Sequence, residues 1–173
     1  MPTQVEITYT FDASQEVVFK AFTEAQHLQN YWGAKGWAFH VLKADFRPGG
    51  VFHYSQKPDD GDNMWVKFEY SELVASEKIV YTSFFSNDEG YVVRAPFDAH
   101  WPLKTLNTMT FIEQEGKTIL TTVITPVSPT EEENNTFSSS REVVKNGFTG
   151  TYDQLAEYLK GITINVVNDN KPS

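Results

Sequence analysis

Val5, Ile7, Tyr9 and Phe11 alternate with Glu6, Thr8 and Thr10, the period of two that gives a strand one buried and one wetted face. Asp12-Ala13-Ser14 ends that strand. Ser14 is positioned to N-cap a helix with Val17, Val18, Ala21 and Phe22 on one side and Phe19 on the flank. A second short helix over EAQHLQNYW carries Leu28, Tyr31 and Trp32. A parallel crossover would use a single longer element, so these brief helices are expected to clasp one end of an antiparallel sheet.

From Gly36 the pattern is all β. WAFHVLKADF and VFHYSQK flank a turn at Arg47-Pro48-Gly49-Gly50, and the turn-rich PDDGDN leads to MWVKFEYSELV. A turn at Ser76-Glu77-Lys78 then leads to IVYTSFFS, which makes four strands in meander order. YVVRAPFDAHWP carries two prolines and three large aromatics without alternation, so residues 91–102 are expected to form a packed loop or a lid. KTLNTMTFIEQ and KTILTTVIT, joined by Glu115-Gly116, form a last hairpin.

The period then changes. Between Ser128 and Lys160, Phe137, Val144, Phe148, Tyr152, Leu155 and Leu159 recur in steps of seven, four, four, three and four, one stripe on an α-helix. Thr130 with Glu133 forms a capping box, and Gly161 closes the run. The pattern predicts one helix of roughly 30 residues, about 45 Å long, lying across a half-apolar curved sheet. Gly147 and Gly150 interrupt it; they allow either close packing on the sheet or room for a ligand beside Phe148. The tail ITINVVNDNKPS is expected to fray. The fold class that follows is α+β: a curved antiparallel sheet of about six to seven strands wrapped on a long C-terminal helix, with two short helices after strand one. One domain is expected over residues 1–173, with its core at about 5–160 and a tail at 161–173.

Composition narrows the function. A chain of 173 residues, 40% hydrophobic and 14% aromatic, fills one core well. It has no cysteine, which removes disulfides, thiolate nucleophiles and cysteine-ligated zinc. A net charge of -9 without a Lys/Arg cluster argues against nucleic acid, whose binding needs concentrated positive charge. No stretch has the ~20 apolar residues of a membrane span, and MPTQVEITYTF lacks signal-peptide character. A cytoplasmic protein is expected.

FDASQEVVFKAFTEAQHLQNYWG, KADFRPGGVFHY and NGFTGTYDQLAEYL resemble the START-like, helix-grip SRPBCC superfamily, whose fold is also that of Bet v-like proteins. Within it they are similar to members related to the C-terminal domain of the activator of the Hsp-ninety ATPase. The likeness runs from about Val5 to Leu159. It implies a deep apolar cavity between sheet and helix, used across the superfamily for lipids, hormones, polyketides and aromatic rings by carriers, cyclases, antibiotic-resistance proteins and co-chaperone domains involved in stress response. VVRAPFDAHWPLK is longer than the connection in many relatives. The sequence lacks the additional N-terminal domain of the full co-chaperone, so direct stimulation of a chaperone ATPase is not expected.

The residues themselves offer little catalytic chemistry. His27, His40, His53 and His100 have no metal-ligand spacing, although His40 and His53 could meet across the Pro-Gly-Gly hairpin. Asp45 is expected to pair with Arg47 or a turn amide, and alternation turns Glu69 outward. No nucleophile elbow, Walker-type loop or dinucleotide fingerprint occurs, so no cofactor, metal or catalytic residue is assigned. The stronger signal is aromatic supply. Phe39, Tyr54, Phe68, Tyr70, Phe85, Trp101, Phe148 and Tyr152 fall where one interior could receive them, and Trp32 sits on the clasp. With the Tyr hydroxyls and Thr110 as polar handles, they are the candidate ligand-binding residues. The expected function is non-enzymatic binding of a hydrophobic or aromatic small molecule. The rivals are a co-chaperone-like module meeting a protein partner and a cyclase- or hydrolase-like enzyme acting on a hydrophobic or aromatic substrate.

Overall fold

The computed structural model describes residues 3–162. Strand β1 (Val5–Phe11) is followed by helices α1 (Gln15–Thr23) and α2 (Ala25–Tyr31). Six strands come next: β2 (Ala38–Ala44), β3 (Val51–Lys57), β4 (Met64–Val74), β5 (Lys78–Ser86), β6 (Thr105–Gln114) and β7 (Lys117–Pro126). Helices α3 (Glu131–Ser139) and α4 (Arg141–Lys160) end the described chain. All seven strands form one antiparallel sheet in the order β1-β7-β6-β5-β4-β3-β2. The fold is α+β and of the helix-grip kind. The expected fraying of the tail concerns residues that, apart from Gly161 and Ile162, lie outside the described ones.

The sheet curves at identifiable places. Register shifts between Val41 and Lys43 and between Tyr70 and Glu72 mark bulges, which bend a strand and raise its twist. Between β2 and β3 the chain turns so tightly that a Cβ on Gly50 would lie 2.1 Å from the Asp45 carbonyl oxygen. Only glycine fits there. Asp45 also binds the Arg47 guanidinium at 2.9 Å, so it is a turn residue.

One inward face carries the core. Ser14 caps α1 by accepting from the Val17 amide at 3.3 Å. Phe19, expected on the flank, is buried with Val18, Ala21 and Phe22 because it meets Phe111 of β6 edge-on at 5.5 Å. Phe22 lies 5.9–6.3 Å from Tyr31, Trp32, Phe111 and Tyr152. Each such aromatic, fully buried, contributes about 1.5–3 kcal/mol. Tyr152 and Leu155 fix α4 over this cluster, and the Tyr152 hydroxyl shares a hydrogen bond with Thr122 Oγ1 of β7 at 2.7 Å. The side-chain amide of Gln154 donates to the carbonyls of Tyr31 and Gly33 at 2.6 and 3.0 Å, tying α4 to the clasp.

The single long helix is corrected to two. The capping box forms at Thr130 and Glu133, but the helix stops at Ser139 and restarts at Arg141, with Ser140 at φ -104°, ψ 10°. The cause is local: the hydroxyls of Ser139 and Ser140 both donate back to the Thr136 carbonyl, at 3.1 and 2.8 Å, and such back-bonding competes with the helix ladder. The seven-residue step from Phe137 to Val144 spans this break. Among the described residues no helix is long and apolar enough to cross a membrane.

Candidate functional site

α4 is packed unevenly. Its second half buries Tyr152 and Leu155, while in its first half Val144 and Phe148 are only half-buried and Gly147 is exposed. A Cβ at Gly147 or Gly150 would meet no atom within 4 Å. Close packing on the sheet is therefore not the reason for either glycine. Beneath Gly147 lies a cavity of about 390 Å³, partly open to solvent.

Six of the aromatics singled out by sequence line it: Trp32, Tyr54, Phe68, Phe85, Trp101 and Phe148. Trp32 is central, with Phe68 at 5.9 Å, Phe148 at 6.3 Å and its indole N–H donating to the Tyr54 hydroxyl at 2.9 Å. Beside it, an added Cβ on Gly33 (φ +94°) would come within 2.6 Å of Gln56 Oε1, which accepts from the Ala34 amide at 3.3 Å. The wall there is thus backbone and an amide side chain.

Trp101 belongs to the 91–102 segment, which has no helix or strand of its own. It packs on Phe137 of α3 at 5.5 Å and on Phe97 at 5.6 Å. Arg94 Nη1 donates to the Trp101 carbonyl at 3.1 Å and to Glu133 Oε2 at 2.6 Å. Glu133 Oε1 accepts from the Thr130 amide at 3.1 Å. The Arg94 hydrogen bond, then the Thr130 amide, hold the Glu133 carboxyl below its ordinary range. The capping box that starts α3 therefore also anchors the loop at the cavity.

The remaining candidates fall elsewhere. Phe39 stacks on Tyr54 at 4.8 Å and lines a separate open groove with Trp37 and Gly150. Tyr70 borders a small void of about 10 Å³ beneath Trp32, and Tyr152 is core. Thr110 is a correction: Asn107, Met109 and Phe111 are the buried positions of β6, so alternation turns Thr110 to the outer face. His53 stands opposite Lys43, and His40 opposite Ser55. The His53 ring instead meets Ser86 Oγ at 2.9 Å, and burial, with Lys67 second, lowers its pKa. Glu69 is exposed. Among the described residues no group of three or more His, Asp or Glu side chains could hold a metal ion.

Sequence reasoning missed the floor. Tyr81 of β5 lies directly opposite Asn107 of β6, and Ser83 opposite Thr105. All four line the cavity, and no charged side chain among the described residues does. Burial keeps the Tyr54 and Tyr81 phenols protonated far above neutral pH, so in this cavity they are neutral hydroxyls and not bases. The signal was present in the phase of β6: Thr105 and Asn107 fall in step with Met109 and Phe111.

The family model described as activator of Hsp90 ATPase homolog 1-like protein matches residues 12–160. No curated protein matches the sequence. Among solved structures, protein Ms6760 from Mycobacterium smegmatis is 21% identical, with TM-score 0.73 and 93% of each chain covered. A protein from Staphylococcus epidermidis solved by NMR is 24% identical, with TM-score 0.75 over 92% of this chain and 91% of that one. DynU16, from the dynemicin biosynthetic locus, is 16% identical, with TM-score 0.63 over 91% of this chain and 47% of its own. At these identities the likeness is one of fold.

Proposed function

Because the chain belongs to the family of activator of Hsp90 ATPase homolog 1-like proteins, whose fold is of a ligand-binding type, we propose that it is a small-molecule-binding protein. In this reading it holds an apolar or aromatic ligand between the sheet and the first half of α4, without catalysing a reaction on it. The observation that carries the reading is the partly open cavity of about 390 Å³ with aromatic walls, within the size range of small-molecule sites. Among the described residues the lining offers protonated tyrosines and no carboxylate, histidine or lysine. We take the setting to be the cytoplasm.

The test is native mass spectrometry of protein purified without detergent, together with a titration of N-phenyl-1-naphthylamine. Trp32 and Trp101 line the cavity, so their fluorescence reports occupancy. A bound mass that the probe displaces, with quenching of tryptophan emission, is the expected result. Neither an adduct nor any probe binding would remove the reading. A second reading, a surface for a protein partner, draws on exposed Tyr91, Val92, Val93, Phe97 and Leu103 grouped around the 91–102 loop. Contiguous exposed apolar residues often mark interaction sites.

A further inference from the structure

The Tyr81 side chain is 3% exposed and Asn107 is 2% exposed, yet neither is fully satisfied within the protein. The Asn107 amide nitrogen donates to the Thr105 carbonyl at 3.2 Å and to Thr105 Oγ1 at 3.3 Å. Its Oδ1 has no partner among the described residues, and neither does the Tyr81 hydroxyl. Sealed phenols and amides are nearly always hydrogen-bonded, and these two atoms are not sealed: among the described residues the buried side-chain atom without a partner is Asn134 Oδ1, so the Tyr81 hydroxyl and Asn107 Oδ1 reach the open space of the cavity. Here the unpaired groups sit on directly opposed residues of neighbouring strands and line the cavity floor.

The two groups have opposite roles. Tyr81 keeps its proton and can donate it into the cavity. Asn107 is fixed as an acceptor, because both contacts of its Nδ2 run to Thr105 and leave Oδ1 for the cavity. A ligand hydroxyl can satisfy both at once, accepting from Tyr81 and donating to Asn107 Oδ1, in the place a bridging water would take. A carboxylate would meet no cation among the described lining residues and would bring its charge against Asn107 Oδ1.

Resting on the binding reading above, we propose that the Tyr81–Asn107 pair selects a neutral ring ligand bearing a hydroxyl, of the phenol or enol type, against the same ring without a hydroxyl or with a carboxylate. A site with fixed hydrogen-bonding groups rejects the analogue that leaves them unpaired far more strongly than an apolar pocket rejects one extra methylene. Ser83 and Thr105, the next opposed pair, extend the uncharged polar floor for a second substituent.

Calorimetric titrations of the full chain with 2-naphthol, naphthalene and 2-naphthoate at neutral pH test this. The expected order is 2-naphthol tighter than naphthalene by roughly tenfold or more, with 2-naphthoate weakest. Tyr81→Phe removes a hydroxyl without a protein partner, so it should fold and lose the preference for 2-naphthol over naphthalene. Equal binding of naphthol and naphthalene by the wild type would overturn the hydroxyl selection and leave the cavity reading standing. Tight binding of 2-naphthoate would overturn the selection for neutral ligands. If none of the three bound, the cavity reading itself would fail. The wild-type series decides these outcomes even if the variant does not fold.

Discussion

Gly147 and Gly150 occupy one helix three residues apart, and a Cβ at either would meet open space. They face different places: Gly147 lines the cavity and Gly150 the outer groove beside Phe39. Leucine at each position therefore tests the cavity against an internal control. Leucine exceeds glycine in helix propensity by about 0.5–1 kcal/mol. Neither position has neighbours that must move, so both Gly147→Leu and Gly150→Leu should stabilise the fold by about that amount. For a chain of this size that corresponds to a rise in Tm of roughly 1–4 °C. Gly147→Leu should gain at least as much, since part of its side chain enters apolar surroundings.

Binding should separate the two. Four added carbon atoms beneath α4 occupy the space beside Phe148, so Gly147→Leu should abolish N-phenyl-1-naphthylamine binding while Gly150→Leu retains it. A thermal melt and a fluorescence titration of each variant suffice. If Gly147→Leu melted several degrees lower, leucine would be overpacking a filled site, which typically costs about 1–3 kcal/mol, and the open geometry would be wrong. Undiminished probe binding by a stable Gly147→Leu would show that ligand enters elsewhere.

Two further outcomes follow from the anchor between α3 and the loop. Thr130→Ala removes the cap and should cost about 1 kcal/mol by denaturant midpoint at unchanged slope. The Glu133 carboxyl is held below its ordinary value near 4.5 in the fold. Its contribution is therefore fully present above that value and is lost as pH falls through the folded-state pKa. Arg94→Met, which removes the larger cause, should flatten the acid limb of stability below about pH 4.5; parallel limbs in wild type and variant would refute the anchor. In the 91–102 loop only Val92 forms a bridge, to Ser86, and only the Val93 amide reaches β5, at 2.9 Å to the Phe85 carbonyl. The amides of Ala95, Phe97, Asp98 and Ala99, with no partner among the described residues, should therefore exchange far faster than those of β5 and β6, as expected of a cover; equal protection would make the loop a fixed plug.

Much of the fold is legible because its determinants are local. Alternation, the Pro-Gly-Gly turn and the capping box each act over a few residues and together mark out the elements, whereas the pairing of β1 with β7 is long-range. The helix break was less visible because the stripe of Phe137 and Val144 continues in phase across it, while the hydroxyl bonds that stop the helix leave no mark on hydrophobic periodicity. For the cavity, Phe39, Tyr70 and Tyr152 belong to the inward set, but where along the sheet the space opens depends on how far α4 reaches, which is a tertiary quantity. Thr110 was a phase error, avoidable by counting back from Phe111. Tyr81 and Asn107 become a pair only through the β5–β6 register, and pairing across 26 residues of chain is not written in either strand alone.

The open space is a matched feature of helix and sheet, and its size shows why that matters. Large-to-small core substitutions cost about 24 cal/mol per Å³ of void, so about 390 Å³ as a closed, dry cavity would cost on the order of 9 kcal/mol, comparable with a whole domain's net stability. The chain avoids that cost in two places at once. Along β5 the inward residues run Ile79, Tyr81, Ser83, and along antiparallel β6 they run Met109, Asn107, Thr105, so both strands pass from apolar to polar in the same spatial direction. Over that polar end α4 presents Val144, Gly147 and Thr151, whereas Tyr152 and Leu155 are buried further along the helix. Here hydrogen-bonding floor and glycine-thinned roof coincide, which is the arrangement expected of space meant to be wetted or occupied.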